Sequence, residues 1–178
     1  MNAGDITDPL TKLLDDVVEA EKYLTQNDSQ FTRRAYIRAA FAYIEGAIWI
    51  LKQTCLKLVL EQKAVILTHA DFALLSDVTY DLKDNGTPFE QVKFLRLPEN
   101  VRFAFRIFDQ LFSYKIDLGV GTKKWGLFKK TVSVRHRITH PKEPNDLDIS
   151  EEEIKAAIQV CRWFNKQMLD CVKFLTKD

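Results

Sequence analysis

The chain has 178 residues, 46% of them hydrophobic, with 26 Lys or Arg against 25 Asp or Glu. That length fits one domain, and the apolar content supports a sizeable core and excludes a polar disordered chain. The formal charge of +1 excludes a polycation, so any nucleic-acid affinity must come from a local patch.

Three cysteines, Cys55, Cys161 and Cys171, form no CxxC pair and are odd in number. This argues against a disulfide framework and points to a reducing cytoplasm. The stretch Met1 to Leu10 carries Asp5 and Asp8 and no basic region, unlike a signal peptide. The longest apolar run, Phe41 to Leu51, contains Glu45 and Gly46 and falls well short of the roughly 20 residues needed to span a bilayer. The expectation is a soluble cytoplasmic protein with no membrane partner.

The first predicted helix runs from Pro9 to Gln26, with Asp8 as N-cap and Pro9 at the first helical position. Asn27-Asp28-Ser29 reads as a turn. The second predicted helix, Phe31 to Leu67, carries Ile37, Phe41, Ile44, Ile48, Leu51, Cys55 and Leu58 at spacings of three and four. Tyr36, Ala40, Tyr43, Ala47 and Ile50 give it a second apolar face, which suits a central position in a bundle.

Thr68 to Asp71 has capping-box spacing with Asp in place of Glu, and predicts a short helix through Ser76. From Val78 to Leu95 the helical pattern breaks. Asp84-Asn85-Gly86 is a strong turn signal and predicts a β-hairpin or extended loop over 78–96. A helix from Pro98 to Lys115 follows, with Val101, Phe105, Phe108 and Phe112 inward and Arg102, Arg106 and Asp109 outward. A loop from Asp117 to Gly121 leads to a basic helix, Thr122 to His140. The last helix starts after Ser150, boxed by Glu153, runs to Lys173, and turns Ile154, Ile158, Cys161, Phe164 or Asn165, and Met168 inward. The fold class is all-α: an up-and-down bundle of about five helices in one domain, 1–178, with a small insertion.

From Thr122 to Lys142 there are seven Lys or Arg and no acid, and from Glu143 to Glu153 six acids and no base. The acids can neutralise the basic helix and favour the start of the next one. The lysines can equally bind a polyanion, and the two readings are compatible. Leu127, Thr131, Val134 and Ile138 form one row of the basic helix, and Trp125, Phe128, Val132, Arg135 and Thr139 an adjacent one. Arg135 thus extends an apolar stripe, where its field is less screened. His140 lies five residues on, about 140° round an ideal helix. Pro141 pushes His140 out of the α region, which allows the histidine to swing back toward Arg135.

Arg135-His136-Arg137-Ile138-Thr139-His140 is the most informative stretch. It pairs a guanidinium with imidazoles, side chains able both to accept and to donate a proton. Its R-x4-H spacing, the closing His-Pro, the surrounding helices and the run Arg33-Arg34-Ala35-Tyr36 through Glu45-Gly46 resemble the HEPN superfamily of all-helical, often dimeric domains. The polar residue after the arginine, more usually asparagine there, is His136.

The resemblance implies a metal-independent endoribonuclease of toxin–antitoxin or antiphage defence. Its catalytic residues would be Arg135, His140 and His136, supported by Glu45 and Thr139. Lys123, Lys124, Lys129, Lys130, Arg137 and Lys142 would contact RNA. It implies a homodimer, an antitoxin-like protein partner and no cofactor. Superfamily members without the motif act as binding modules, so a non-catalytic module for RNA, a nucleotide or a protein is the alternative, and a purely structural partner domain a third reading.

Metal-free RNA cleavage needs a base for the 2′-hydroxyl proton, an acid for the leaving 5′-oxygen and a cation for the phosphoryl oxygens. Histidine suits the first two tasks and arginine the third. One histidine cannot serve both sides of an in-line displacement, whereas a two-fold dimer supplies two. His136 can act as a second imidazole or orient His140.

Other features have plainer readings. His136 and His140 have zinc-binding spacing, but Arg137 stands where the zincin pattern needs Glu, and no cysteine is near. Glu45 inside an apolar run needs a partner, either a structural one such as Arg38 or the Arg135–His140 site. Trp49, Trp125 and Trp163 read as core or dimer-interface residues. Tyr80 and Phe89 can touch RNA without any requirement to, and His69 reads as incidental. Ser133 has no nucleophile pattern, and neither GxSxG nor GxxxxGK[ST] occurs.

Overall fold

The computed structural model describes residues 4–62 and 67–175, with side chains over 8–61 and 67–175. Among the described residues there are six α-helices and one hairpin: α1 (Gly4–Gln26), α2 (Gln30–Gln62), α3 (His69–Leu75), β1 (Val78–Leu82), β2 (Pro88–Val92), α4 (Leu97–Phe112), α5 (Lys123–Thr139) and α6 (Glu151–Leu175), with a 3-10 turn at Pro144–Leu147. The fold is all-α with a small hairpin insertion, as the hydrophobic periodicity predicts.

The chain divides into two compact units, residues 1–47 with 117–178, and residues 48–116. In the first, α1 contributes Leu10, Val17 and Leu24, while α2 buries Tyr36, Ile37, Ala40, Phe41, Tyr43 and Ile44 on its two apolar faces. From α6 come Ile154, Ala157, Val160, Cys161, Phe164, Met168 and Cys171. Trp125 and Phe128 of α5 meet Trp163 of α6 with ring centroids 6.3 and 5.6 Å apart, and Tyr43 donates a 2.7 Å hydrogen bond to Asn165. Burial, with Cys161 beside it, raises the Tyr36 phenol, and burial pushes the Cys161 thiol up to about 11. These are inert core groups.

In the second unit Ile48, Leu51, Cys55, Leu75, Val101, Phe105, Ile107 and Phe108 are buried. Lys52, wholly buried, pairs with Asp77, the left-handed residue (φ 54°) that opens the hairpin. The capping box forms as predicted: Thr68 Oγ1 accepts from Asp71 N at 3.1 Å, and Asp71 Oδ2 accepts from Thr68 N at 3.2 Å. At the hairpin tip Gly86 (φ 75°) donates to Lys83 O at 2.8 Å, a type I turn closed by a glycine bulge. The register sets Val78 against Val92, Tyr80 against Glu90 and Leu82 against Pro88.

Three helix boundaries differ from expectation. Helix α1 starts at Gly4, so Pro9 lies inside it and Asp8 is no cap. Proline's fixed φ is helical, and the cost is one missing donor near the helix start. Helix α2 is described to Gln62, the predicted continuation over 63–66 lies outside the described residues, and Leu67 is non-helical. Helix α4 stops at Phe112, three residues early, because Ser113 turns left-handed (φ 52°) and Asp109 Oδ1 accepts from Ile116 N at 3.0 Å. Of the tryptophans read as core or dimer-interface residues, Trp125 is core, whereas Trp49 is 56% exposed, which leaves it the interface reading.

Candidate functional site at the C-terminal end of α5

The row Trp125, Phe128, Val132, Arg135 descends from the buried interior to a half-buried rim. A guanidinium at that rim needs a partner, and Glu45 of α2 supplies it: Arg135 Nη2 lies 2.7 Å from Glu45 Oε1. The side chains stay 28% and 39% exposed respectively. Of the two partners open to Glu45 in the sequence, the structure selects Arg135 over Arg38. A guanidinium has five N–H donors, so one carboxylate contact leaves most of them for a ligand.

Pro141 ends the helix. His140 is its C-cap at φ −128° and ψ 62°, and its backbone N–H donates 3.0 Å to His136 O. The two imidazoles are exposed, with ring centroids 5.2 Å apart and planes at 71°. His140 therefore turns toward His136. Among the described residues, no hydrogen bond or ion pair joins it to Arg135. Thr139 Oγ1 donates 2.7 Å to Arg135 O, which commits its hydroxyl to the helix backbone.

Arg137, grouped in the sequence with the nucleic-acid contacts, is occupied within the protein. Its Nη1 donates to Asn145 O (3.3 Å), Asp146 O (2.9 Å) and Asp148 O (2.8 Å), and its Nη2 pairs with Glu153 at 2.8 Å. The acidic stretch thus neutralises Arg137. By contrast Lys123, Lys124, Lys129 and Lys130 are exposed and outside any ion pair among the described residues, and Lys142 is exposed beside the site.

The segment after His140 is held from several sides. Asp146 Oδ2 accepts from Lys142 N (2.7 Å) and Glu143 N (3.1 Å), and these bonds keep its carboxyl below the ordinary carboxylate range. Gln30 brackets Ile149, accepting from its N–H at 2.8 Å and donating to its carbonyl at 3.1 Å. Arg33 donates to the same carbonyl at 2.7 Å, and Arg34 to Leu147 O at 2.9 Å. In the sequence Arg33 and Arg34 figure only in the family resemblance, and Gln30 not at all. The available signal was two arginines in the first turns of a helix, where the dipole disfavours cations.

Chemically the end of α5 offers an anchored cation, two solvent-facing imidazoles and exposed lysines on the same helix. That set can bind a phosphodiester and move protons beside it. Among the described residues no group of three His, Cys, Asp or Glu side chains is placed to hold a metal ion. No helix there is long and apolar enough to cross a membrane. No family model, curated protein or solved structure matches the chain.

Proposed function

We propose that the chain is a HEPN-like domain that cleaves RNA without a metal ion, as a homodimer, in a toxin–antitoxin or antiphage setting. The observation that carries this reading is the pairing of Glu45 with Arg135 beside exposed His136 and His140. A half-buried carboxylate holds the guanidinium in one orientation while both imidazoles remain open to substrate. Arg135 grips the phosphoryl oxygens and is the catalytic cation. Glu45 makes its ion pair among the described residues with Arg135 and is a positioning residue.

One imidazole takes the 2′-hydroxyl proton as the 2′-oxygen attacks phosphorus. The P–O5′ bond breaks, and a second, protonated imidazole delivers a proton to the departing 5′-oxygen. The products are a 2′,3′-cyclic phosphate and a 5′-hydroxyl. The second imidazole comes from His140 of the other copy or from His136. The lysines of α5 guide the strand, and their contribution is salt-dependent.

The decisive experiment incubates total RNA with the full chain, with and without chelator. Cleavage that persists in chelator and disappears in Arg135→Ala and His140→Ala, with both variants folded, is the expected result. A double variant as active as wild type would refute the site. The alternative, a non-catalytic HEPN-like module binding RNA, a nucleotide or an antitoxin-like protein, draws on the exposed lysines and on the partial neutralisation of Arg135 by Glu45. Salt-dependent RNA retention without cleavage would identify an RNA-binding form of it.

A further inference from the structure

We propose that β1 is an interaction edge whose partner is β1 of a second copy of this chain, paired antiparallel about Tyr80. Bond directions in the hairpin identify the edge. Lys83 N donates to Thr87 O at 3.0 Å and Lys93 N to Asp77 O at 2.7 Å. With the observed register, odd-numbered residues of β1 bond β2, and Val78, Tyr80 and Leu82 turn their N–H and C=O groups outward. Among the described residues β2 is the sole strand paired with β1.

The two edges of the hairpin are not equivalent. On β2 the outward positions are Pro88, Glu90 and Val92. Pro88 has no donor, and a two-fold pairing about Glu90 sets carboxylate against carboxylate, so this edge is protected. On β1 every outward position carries a donor. Three two-fold registers centre on an interior residue of β1. Centring on Thr79 places Asp77 opposite Asp81 of the second copy, and centring on Asp81 faces that residue with itself. Centring on Tyr80 places Asp77 opposite Lys83, Val78 opposite Leu82 and Tyr80 opposite Tyr80. Of the three, only this last register sets no acid against an acid; it stacks apolar pairs and adds the Lys83 charge of the second copy to an Asp77 already paired with Lys52, which favours it.

It also brings outward-pointing residues face to face, so each facing pair exchanges two backbone bonds. Of the side chains it joins, Tyr80 is 63% and Leu82 66% exposed in one copy, and Val78 is half-buried. One local bond must yield, since Leu82 N donates 2.8 Å to its neighbour Asp81 Oδ1. The inference stands on the hairpin alone. Dimerisation and RNA cleavage are read separately, and either can fail without the other.

The test is sedimentation of the full chain with two variants. Tyr80→Pro removes an outward N–H that the hairpin does not use, and is expected to weaken the dimer about 100-fold or more while circular dichroism stays native. Tyr80→Cys places two Cα atoms about 5.5 Å apart, within disulfide reach, and is expected to cross-link under mild oxidation while Gln91→Cys stays monomeric on a non-reducing gel. The native cysteines are buried and stay silent. A monomeric wild type, a dimer indifferent to Tyr80→Pro, or a Tyr80→Cys chain that does not cross-link would overturn the proposal. If Tyr80→Pro fails to fold, the cysteine pair decides alone.

Discussion

Two of the ion pairs made by helix α2, one from each unit, differ in burial. Lys52 is 0% exposed and meets Asp77, which is 30% exposed, with the Phe103 ring 6.0 Å from its ammonium. Glu45 and Arg135 are both substantially exposed. A buried ammonium without its carboxylate carries a large desolvation cost, so the first pair is bound to the integrity of its unit. A half-exposed pair contributes little to stability, so the second is free to serve chemistry. The contrast teaches that the charged residue least tolerated by the fold lies outside the candidate site.

The largest expected effect breaks the buried pair. Asn tolerates the left-handed backbone, so Asp77→Asn isolates the loss of charge; it is expected to cost about 3 kcal/mol in denaturant unfolding. Adding Lys52→Met should restore most of that loss, because no unpaired charge remains. Next comes Arg137→Ala, which strips four loop and helix contacts from one guanidinium. Hydrogen bonds from a charged group put its cost at about 1.5–3 kcal/mol, read in the same assay.

Glu45→Gln and Arg135→Ala should each change stability by less than about 1 kcal/mol. If either cost as much as Asp77→Asn, the contrast between the pairs would collapse. The smallest effect is in acid. Burial raises the Asp71 carboxyl, but bonds from Thr68 and Arg106 outweigh it and hold its pKa below the ordinary value. A depressed folded-state pKa gives stability that is present above the unfolded value near 4 and lost as pH falls through the folded one. Stability should therefore fall below about pH 4, and Asp71→Asn should flatten that slope.

Much of the fold was legible because it is local. Periodicity marked the helices, Thr68 and Ser150 marked two starts, and Asp84-Asn85-Gly86 marked the hairpin tip. Half of the candidate site was legible in the same way: Glu45 and Arg135 each interrupt an apolar row, so each needs a partner. That they choose each other is a tertiary fact, fixed by how α2 and α5 pack. Lys52 escaped notice because its partner sits 25 residues away, at a left-handed turn with no local signature. Arg137 looked like a surface cation because its acceptors are mainly backbone carbonyls, which sequence patterns do not display. Pro9 misled because proline at a helix start and proline just inside one carry the same local signal.

The chemistry assigned to Arg135, His136 and His140 is tested most directly by the ends of the RNA fragments that the wild-type chain releases in the presence of chelator. Attack by the 2′-oxygen predicts 2′,3′-cyclic phosphate and 5′-hydroxyl termini, absent when His140→Ala replaces wild type. Fragments ending in 5′-phosphate and 3′-hydroxyl, or intact RNA after prolonged incubation with the folded protein, would contradict it.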